Sequence, residues 1–159
     1  MKNLWDRSHD IQVQTGPEIV GGFSVGFDKK IPEETRGFLM DFVYWVEDHY
    51  HLPITLWVDF EYRHYLVSKA KKRVGYLFYW VDTDLSRPFE NEADIPVIRL
   101  PVRTEHWSRE EILRSFIEGI SDYFHWLAGG NVHGYEPEEA LVEEILDLYC
   151  AFRDSREEG

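Results

Sequence analysis

Residues 108–130 read SREEILRSFIEGISDYFHWLAGG, and the rest of the chain is best read outward from this stretch. Ser108 and Glu111 form an S-x-x-E capping box, in which each side chain satisfies the other residue's backbone N–H at a helix start. Ile112, Leu113, Phe116, Ile117, Ile120, Phe124 and Leu127 recur at helical spacing and predict a buried stripe. Gly129 and Gly130 supply the left-handed stop. Glu118 and Asp122 stand at i and i+4, so their carboxylates share one side of the helix. Gly119 beside them costs about 1 kcal/mol relative to Ala in a helix interior, a cost that close approach of a strand backbone would offset. Glu110, Arg114 and Glu118 form an i+4 charge ladder worth about 0.2–0.5 kcal/mol per pair, which reads as a solvated face.

The residues before this helix alternate between two periods. Ile19–Phe27 alternates weakly and predicts a short strand. Pro32, Glu33 and Glu34 open a helix whose apolar positions are Phe38, Leu39, Phe42, Val43, Trp45 and Val46, ending near His51 before Pro53. Ile54, Leu56, Val58 and Phe60 alternate with Thr55, Trp57 and Asp59 and predict a strand. Lys69–Arg73 is a basic run suited to a solvated hairpin turn, Val74–Val81 reads as a central strand, and Leu85–Glu92 as a loop. Ile95–Val102 reads as a strand that Pro96 and Pro101 place at a sheet edge. A last helix begins near Pro137 and runs past Phe152, with Leu141, Ile145, Leu148 and Phe152 as its apolar face. Strands followed by helices predict an α+β fold with a small mixed or antiparallel sheet, built as a single domain over 1–159. Residues 1–17 read as a loosely ordered arm and 153–159 as a fraying tail.

Composition narrows the function. The chain of 159 residues carries a formal net charge of −13, which argues against nucleic-acid and anionic-membrane partners. No apolar run is long enough to span a membrane and no signal-like segment opens the chain, so a cytoplasmic protein is expected. The lone Cys150 excludes an internal disulfide and a cysteine zinc site, and reads as a buried small hydrophobe. His49 and His51 diverge on a helix; Glu61, His64, Glu105 and His106 are scattered at strand ends; His133 sits in a glycine-flanked loop and reads as solvent-exposed.

Several strings resemble the minimal gluzincin-type metallopeptidases, small domains of the zincin fold. Gly75-Tyr76-Leu77-Phe78-Tyr79-Trp80 is similar to that family's G-Y-F-x-W strand, and Ile95-Pro96-Val97-Ile98 to its peptide-binding edge strand. Ile120–Leu127 is similar to the helix that follows the family's H-E-x-x-H motif. At the motif itself this chain reads Glu118-Gly119-Ile120-Ser121-Asp122. The resemblance implies a zinc site in which two His at i and i+4 hold the metal and the intervening Glu takes a proton from its water. Here both ligand positions hold carboxylates and the base is a glycine, so zinc binding and peptidase chemistry are expected to be lost. The third ligand of the family corresponds to a residue among Glu138, Glu139 and Glu143.

The expectation is a catalytically inactive, metallopeptidase-like protein with no cofactor, holding a peptide or protein partner in a cleft. Its candidate residues are Glu118, Gly119, Asp122, His125, Ile95, Val97 and Trp126, with Trp80 and Trp107 as further cleft aromatics unless core packing claims them. One alternative is a small acidic inhibitor or immunity-type protein that caps a basic site. Another is a metal-dependent hydrolase using Glu118, Asp122 and Glu139 on a hard metal, to which His125 is a conceivable addition.

Overall fold

A computed structural model describes residues 21–82, 94–129 and 139–158. The expected arm over 1–17, the loop Leu85–Glu92, His133, Glu138 and the helix start near Pro137 lie outside the described residues. The elements run β1 (Phe23–Phe27), α1 (Glu33–His49), β2 (Leu56–Glu61), β3 (Leu66–Val67), β4 (Arg73–Val74), β5 (Leu77–Asp82), β6 (Asp94–Pro101), α2 (Arg109–Leu127) and α3 (Glu139–Glu158). The fold is α+β, as the alternation of periods implies.

The main sheet has the order β1-β2-β6-β5. β1, β2 and β6 run parallel, and β5 runs antiparallel to β6 at the edge. Register aligns Val25, Val58, Ile98 and Phe78 in one row across all four strands, and Phe27, Phe60 and Leu100 in the next. The helices cover this face. Phe116 of α2 stands at the centre and meets Phe23, Phe42 and Phe60 edge-on at 5.8, 5.2 and 5.5 Å, the geometry favoured by ring quadrupoles. The opposite face carries Trp57, Val97 and Tyr79 in one row and Asp59 and Arg99 in the next. There Arg99 grips the Glu61 carboxylate in a fork of two hydrogen bonds, 2.5 and 3.0 Å.

Two strand expectations exchange places. Val74–Val81 is not a central strand: it breaks at Gly75-Tyr76, and its second part is the edge strand β5. Ile95–Val102 is not an edge: β6 lies between β2 and β5. The prolines report local edges only. Pro96 pairs with β5 before the pairing to β2 begins at Val97, and Pro101 pairs with β2 after the pairing to β5 has ended at Arg99. Each proline therefore sits where β6 has a neighbour on one side.

The helices keep most of their predicted faces. All six expected positions of α1 are buried, although Pro32 is its N-cap rather than its first residue. Both halves of the Ser108–Glu111 box form, and Gly129 adopts φ +84 past the end of α2. In α3 the buried stripe is Val142, Ile145 and Tyr149, while Leu148 is 51% exposed and Phe152 also faces outward. Two stripes one residue apart fit the same period, and the Tyr149 ring decides between them by packing 4.9 Å from Phe42. Cys150 is half-buried, and partial burial pushes its thiol pKa up. The basic run forms the turn of the β3–β4 hairpin, with Lys69, Lys71, Lys72 and Arg73 exposed and Lys71 at φ 65.

α2 is seated by Gly119. A Cβ there would stand 2.9, 3.1 and 3.2 Å from Cδ1, Cγ1 and Cγ2 of Ile98. The close approach that offsets a helical glycine is thus to a strand side chain, not to its backbone. Gly119→Ala is expected to lower stability by about 1–3 kcal/mol through overpacking, against the usual gain of about 1 kcal/mol. Ile98→Val, which removes Cδ1, should shrink that penalty in a double-mutant cycle read by denaturant unfolding. A stabilised Gly119→Ala single variant would contradict this packing.

Candidate functional site

The seating of Gly119 fixes the rotation of α2 and hence where its carboxylates go. Asp122 is 7% exposed and accepts a 2.9 Å hydrogen bond through Oδ2 from the Tyr76 hydroxyl. Tyr76 reaches it because the link between β4 and β5 crosses α2 closely at Gly75, where a Cβ would meet Ser115 Oγ at 2.9 Å. Glu118 is half-buried beside the same pair. The face expected to be solvated is therefore partly enclosed, and the charge ladder is not its main interaction. Arg114 instead reaches α3, donating from Nη1 to Glu139 at 3.0 Å and from Nη2 to Glu143.

The electrostatics follow from burial. Loss of solvent raises the Asp122 pKa from 3.8 to about 6, and the Tyr76 hydrogen bond and nearby His125 only partly offset it. Burial also raises Glu118, reinforced by Glu139 and by Asp122 and opposed by Arg114. The Tyr76 hydroxyl is held protonated by burial, then by Asp122 and Glu118. Asp122 Oδ1 is buried with no hydrogen-bond partner among the described residues. The environment shifts Asp122 toward its neutral form, which dominates below about pH 6.

The residues present do not fit zinc. Glu118 and Asp122 offer oxygen alone, Tyr76 occupies Asp122 Oδ2, and Arg114 engages Glu139 and Glu143. Among the described residues no group of three His, Cys, Asp or Glu side chains is arranged to hold a metal ion. Position 119 faces Ile98, so a carboxylate there would be driven into the core.

The other candidates separate into two places. Trp126 lies 6.3 Å from Trp80 of β5, making an aromatic pair beside the edge strand. Ile95 and Val97 belong to the interior strand, and Val97 lies in the row of Trp57 and Tyr79 on the face away from α2. Ile95 and Val97 therefore do not form the sheet edge expected of them; the edge strand on this side is β5. Trp107 stands at the opposite end of α2, edge-on to His106, which stacks on His64 at 4.9 Å. Glu61 pairs with Arg99 and Arg63, and Glu105 with Arg103 while remaining close enough to His64 for their charges to interact. A cavity of about 660 Å³ lies elsewhere, at the C-terminal end of α1 around His49, His51 and Gly22. Tyr76 escaped the sequence reading as a site residue, since nothing local marks a tyrosine in an aromatic strand as the partner of an aspartate 46 positions away.

Asp122 makes stability depend on pH with a definite sign. Its folded pKa is raised, so the stabilising contribution is complete below about pH 4 and is lost as pH rises through about 6, on the order of 2 kcal/mol. Asp122→Asn keeps an acceptor for Tyr76 without the charge. It should raise the melting temperature at pH 7, leave it nearly unchanged at pH 4, and flatten the slope between them; identical slopes would refute the assignment. Comparison of the chain with protein-family models, with curated proteins and with solved structures finds no match in any of the three.

Proposed function

We propose that this chain is a non-catalytic, zincin-like binding domain that holds an extended segment of a peptide or protein along the outer edge of β5. The observation that carries the reading is the position of β5: an antiparallel edge strand, paired with β6 on one side, lying beside the helix that resembles a peptidase active helix. An edge strand offers a row of backbone N–H and C=O groups to an added strand, and Trp80 and Trp126 supply apolar contact beside it. The absence of a base at Gly119 and the engagement of Asp122 by Tyr76 support binding without cleavage.

Strand addition leaves an alternating signature. Peptides of about ten residues selected from a random library should slow amide exchange along Leu77–Val81. Proline placed in turn at these positions should abolish binding at alternate sites, where the lost N–H faced outward, and leave those variants folded. Protection confined to the 660 Å³ cavity, or proline effects without alternation, would reject the reading.

A second reading, a hydrolase using a hard metal at Glu118, Asp122 and Glu139, is favoured by one observation, the buried Asp122 Oδ1 without a partner among the described residues. Melting curves with Zn, Mn, Mg and Ca separate the two. The binding-domain reading expects no metal-specific rise, whereas a rise that Asp122→Ala removes would establish the hydrolase site.

A further inference from the structure

α1, the first turn of α2 and the C-terminal half of α3 enclose a cavity of about 200 Å³ lined by Phe38, Asp41, Arg109, Tyr149, Arg153 and Arg156. In a chain of net charge −13 this lining holds three cations and one carboxylate. The guanidinium groups are oriented by apolar rings. Arg109 lies 4.8 Å over Phe38 and Arg156 lies 5.4 Å over Phe152. Their acidic neighbours leave donors over. Arg109 gives one nitrogen to Glu34 at 2.8 Å, Arg153 stands 3.7 Å from Asp154, beyond hydrogen-bond length, and Arg156 makes no ion pair among the described residues.

The second observation is Tyr149. It is 2% exposed, yet its hydroxyl makes no hydrogen bond among the described residues. Tyr149 lines the cavity together with Asp41, Arg153 and Arg156; burial raises its pKa first, Asp41 adds to the rise, and the two arginines oppose it. The ring is buried while the hydroxyl keeps contact with the cavity, so its donor is available to a ligand there. The cavity is smaller than the roughly 300–1,000 Å³ of drug-sized sites, so it suits one small group. Guanidinium forks match the oxygens of phosphate. Asp41 would repel a fully deprotonated anion and accept a hydrogen bond from one that keeps a proton.

We propose that this cavity binds a phosphate group that retains a proton, with Arg109, Arg153, Arg156 and the Tyr149 hydroxyl donating to its oxygens and Asp41 accepting its proton. Sulfate, which has no proton near neutral pH, lacks the donor that Asp41 requires. The group is inorganic phosphate or the end of a phosphorylated small molecule.

Calorimetric titration of the full chain at pH 6, where a phosphomonoester with a second pKa of about 6 keeps its proton in about half of the molecules, with inorganic phosphate, phenyl phosphate and sulfate at ionic strength matched with chloride, tests the site. Saturable phosphate binding at least tenfold tighter than sulfate is expected. Phenyl phosphate binding as well or better would mark a phosphorylated ligand, and phosphate binding alone the free anion. Arg153→Gln and Arg156→Gln should each weaken phosphate at least tenfold, Tyr149→Phe should weaken it severalfold while keeping the ring against Phe42, and Asp41→Asn should narrow the gap to sulfate. Arg156 is exposed and Tyr149→Phe removes a single oxygen, so these variants are expected to fold. Absence of saturable binding by the unaltered chain to either phosphate probe, or binding that all three Arg and Tyr variants leave unchanged, would overturn the proposal.

Discussion

The contact between Gly119 and Ile98 governs the arrangement around α2. A helix laid on a sheet is held off by its side chains; with no Cβ at position 119, α2 drops until Ile98 fills the gap. That depth lets Phe116 reach Phe23, Phe42 and Phe60 together, joining α1, α2 and two strands through one ring. It also sets the helix rotation. With positions 116, 119, 120 and 123 committed to the core, Glu118 and Asp122 turn toward the β4–β5 link and α3.

The polar cluster that results is held by geometry more than by charge balance. Tyr76 gives Asp122 one hydrogen bond, and Arg114 hydrogen-bonds to Glu139 and Glu143 on α3, so burial of the two carboxylates of α2 is offset only in part. Raised pKa values are the physical response: a proton is the least costly way to neutralise a buried acid. The Tyr76 hydroxyl donates to the carboxylate and opposes the rise only in part, since it brings no positive charge. The same strategy appears at Tyr123, whose hydroxyl donates to the Ile54 carbonyl and accepts from the Ile54 N–H, anchoring the approach to β2, and whose pKa burial pushes up to about 12.

Local signals in the sequence were reliable where the physics is local. The capping box at Ser108, the stop at Gly129 and the faces of α1 and α2 depend on residues within a few positions of each other, and they are legible. Strand existence was legible for the same reason. Sheet order was not, because β5 and β6 differ in position through pairings with distant segments, and an aromatic-rich edge beside a helix reads like a buried strand. The stripe of α3 turned on one ring, Tyr149, meeting Phe42 more than a hundred positions earlier. The grouping of Arg109 with Arg153 and Arg156, and of Tyr76 with Asp122, likewise arises only when the chain is folded. What the sequence could announce was that Glu118 and Asp122 share one side of a helix beside Gly119; what they touch required the fold.

The β3–β4 hairpin has a consequence at long range. Residues 62–81 hold five of the 17 cationic residues and none of the 30 acidic ones, and the lysines of the turn are exposed. The remainder is correspondingly more acidic than the net charge of −13 states, with carboxylates recurring along α3. The charge is therefore unevenly spread, with an exposed basic hairpin in an otherwise acidic chain. An approaching charged body experiences a torque before it experiences contact, and within roughly a Debye length, about 8–10 Å in ordinary buffers, it meets either the hairpin or the acidic surface according to its own sign.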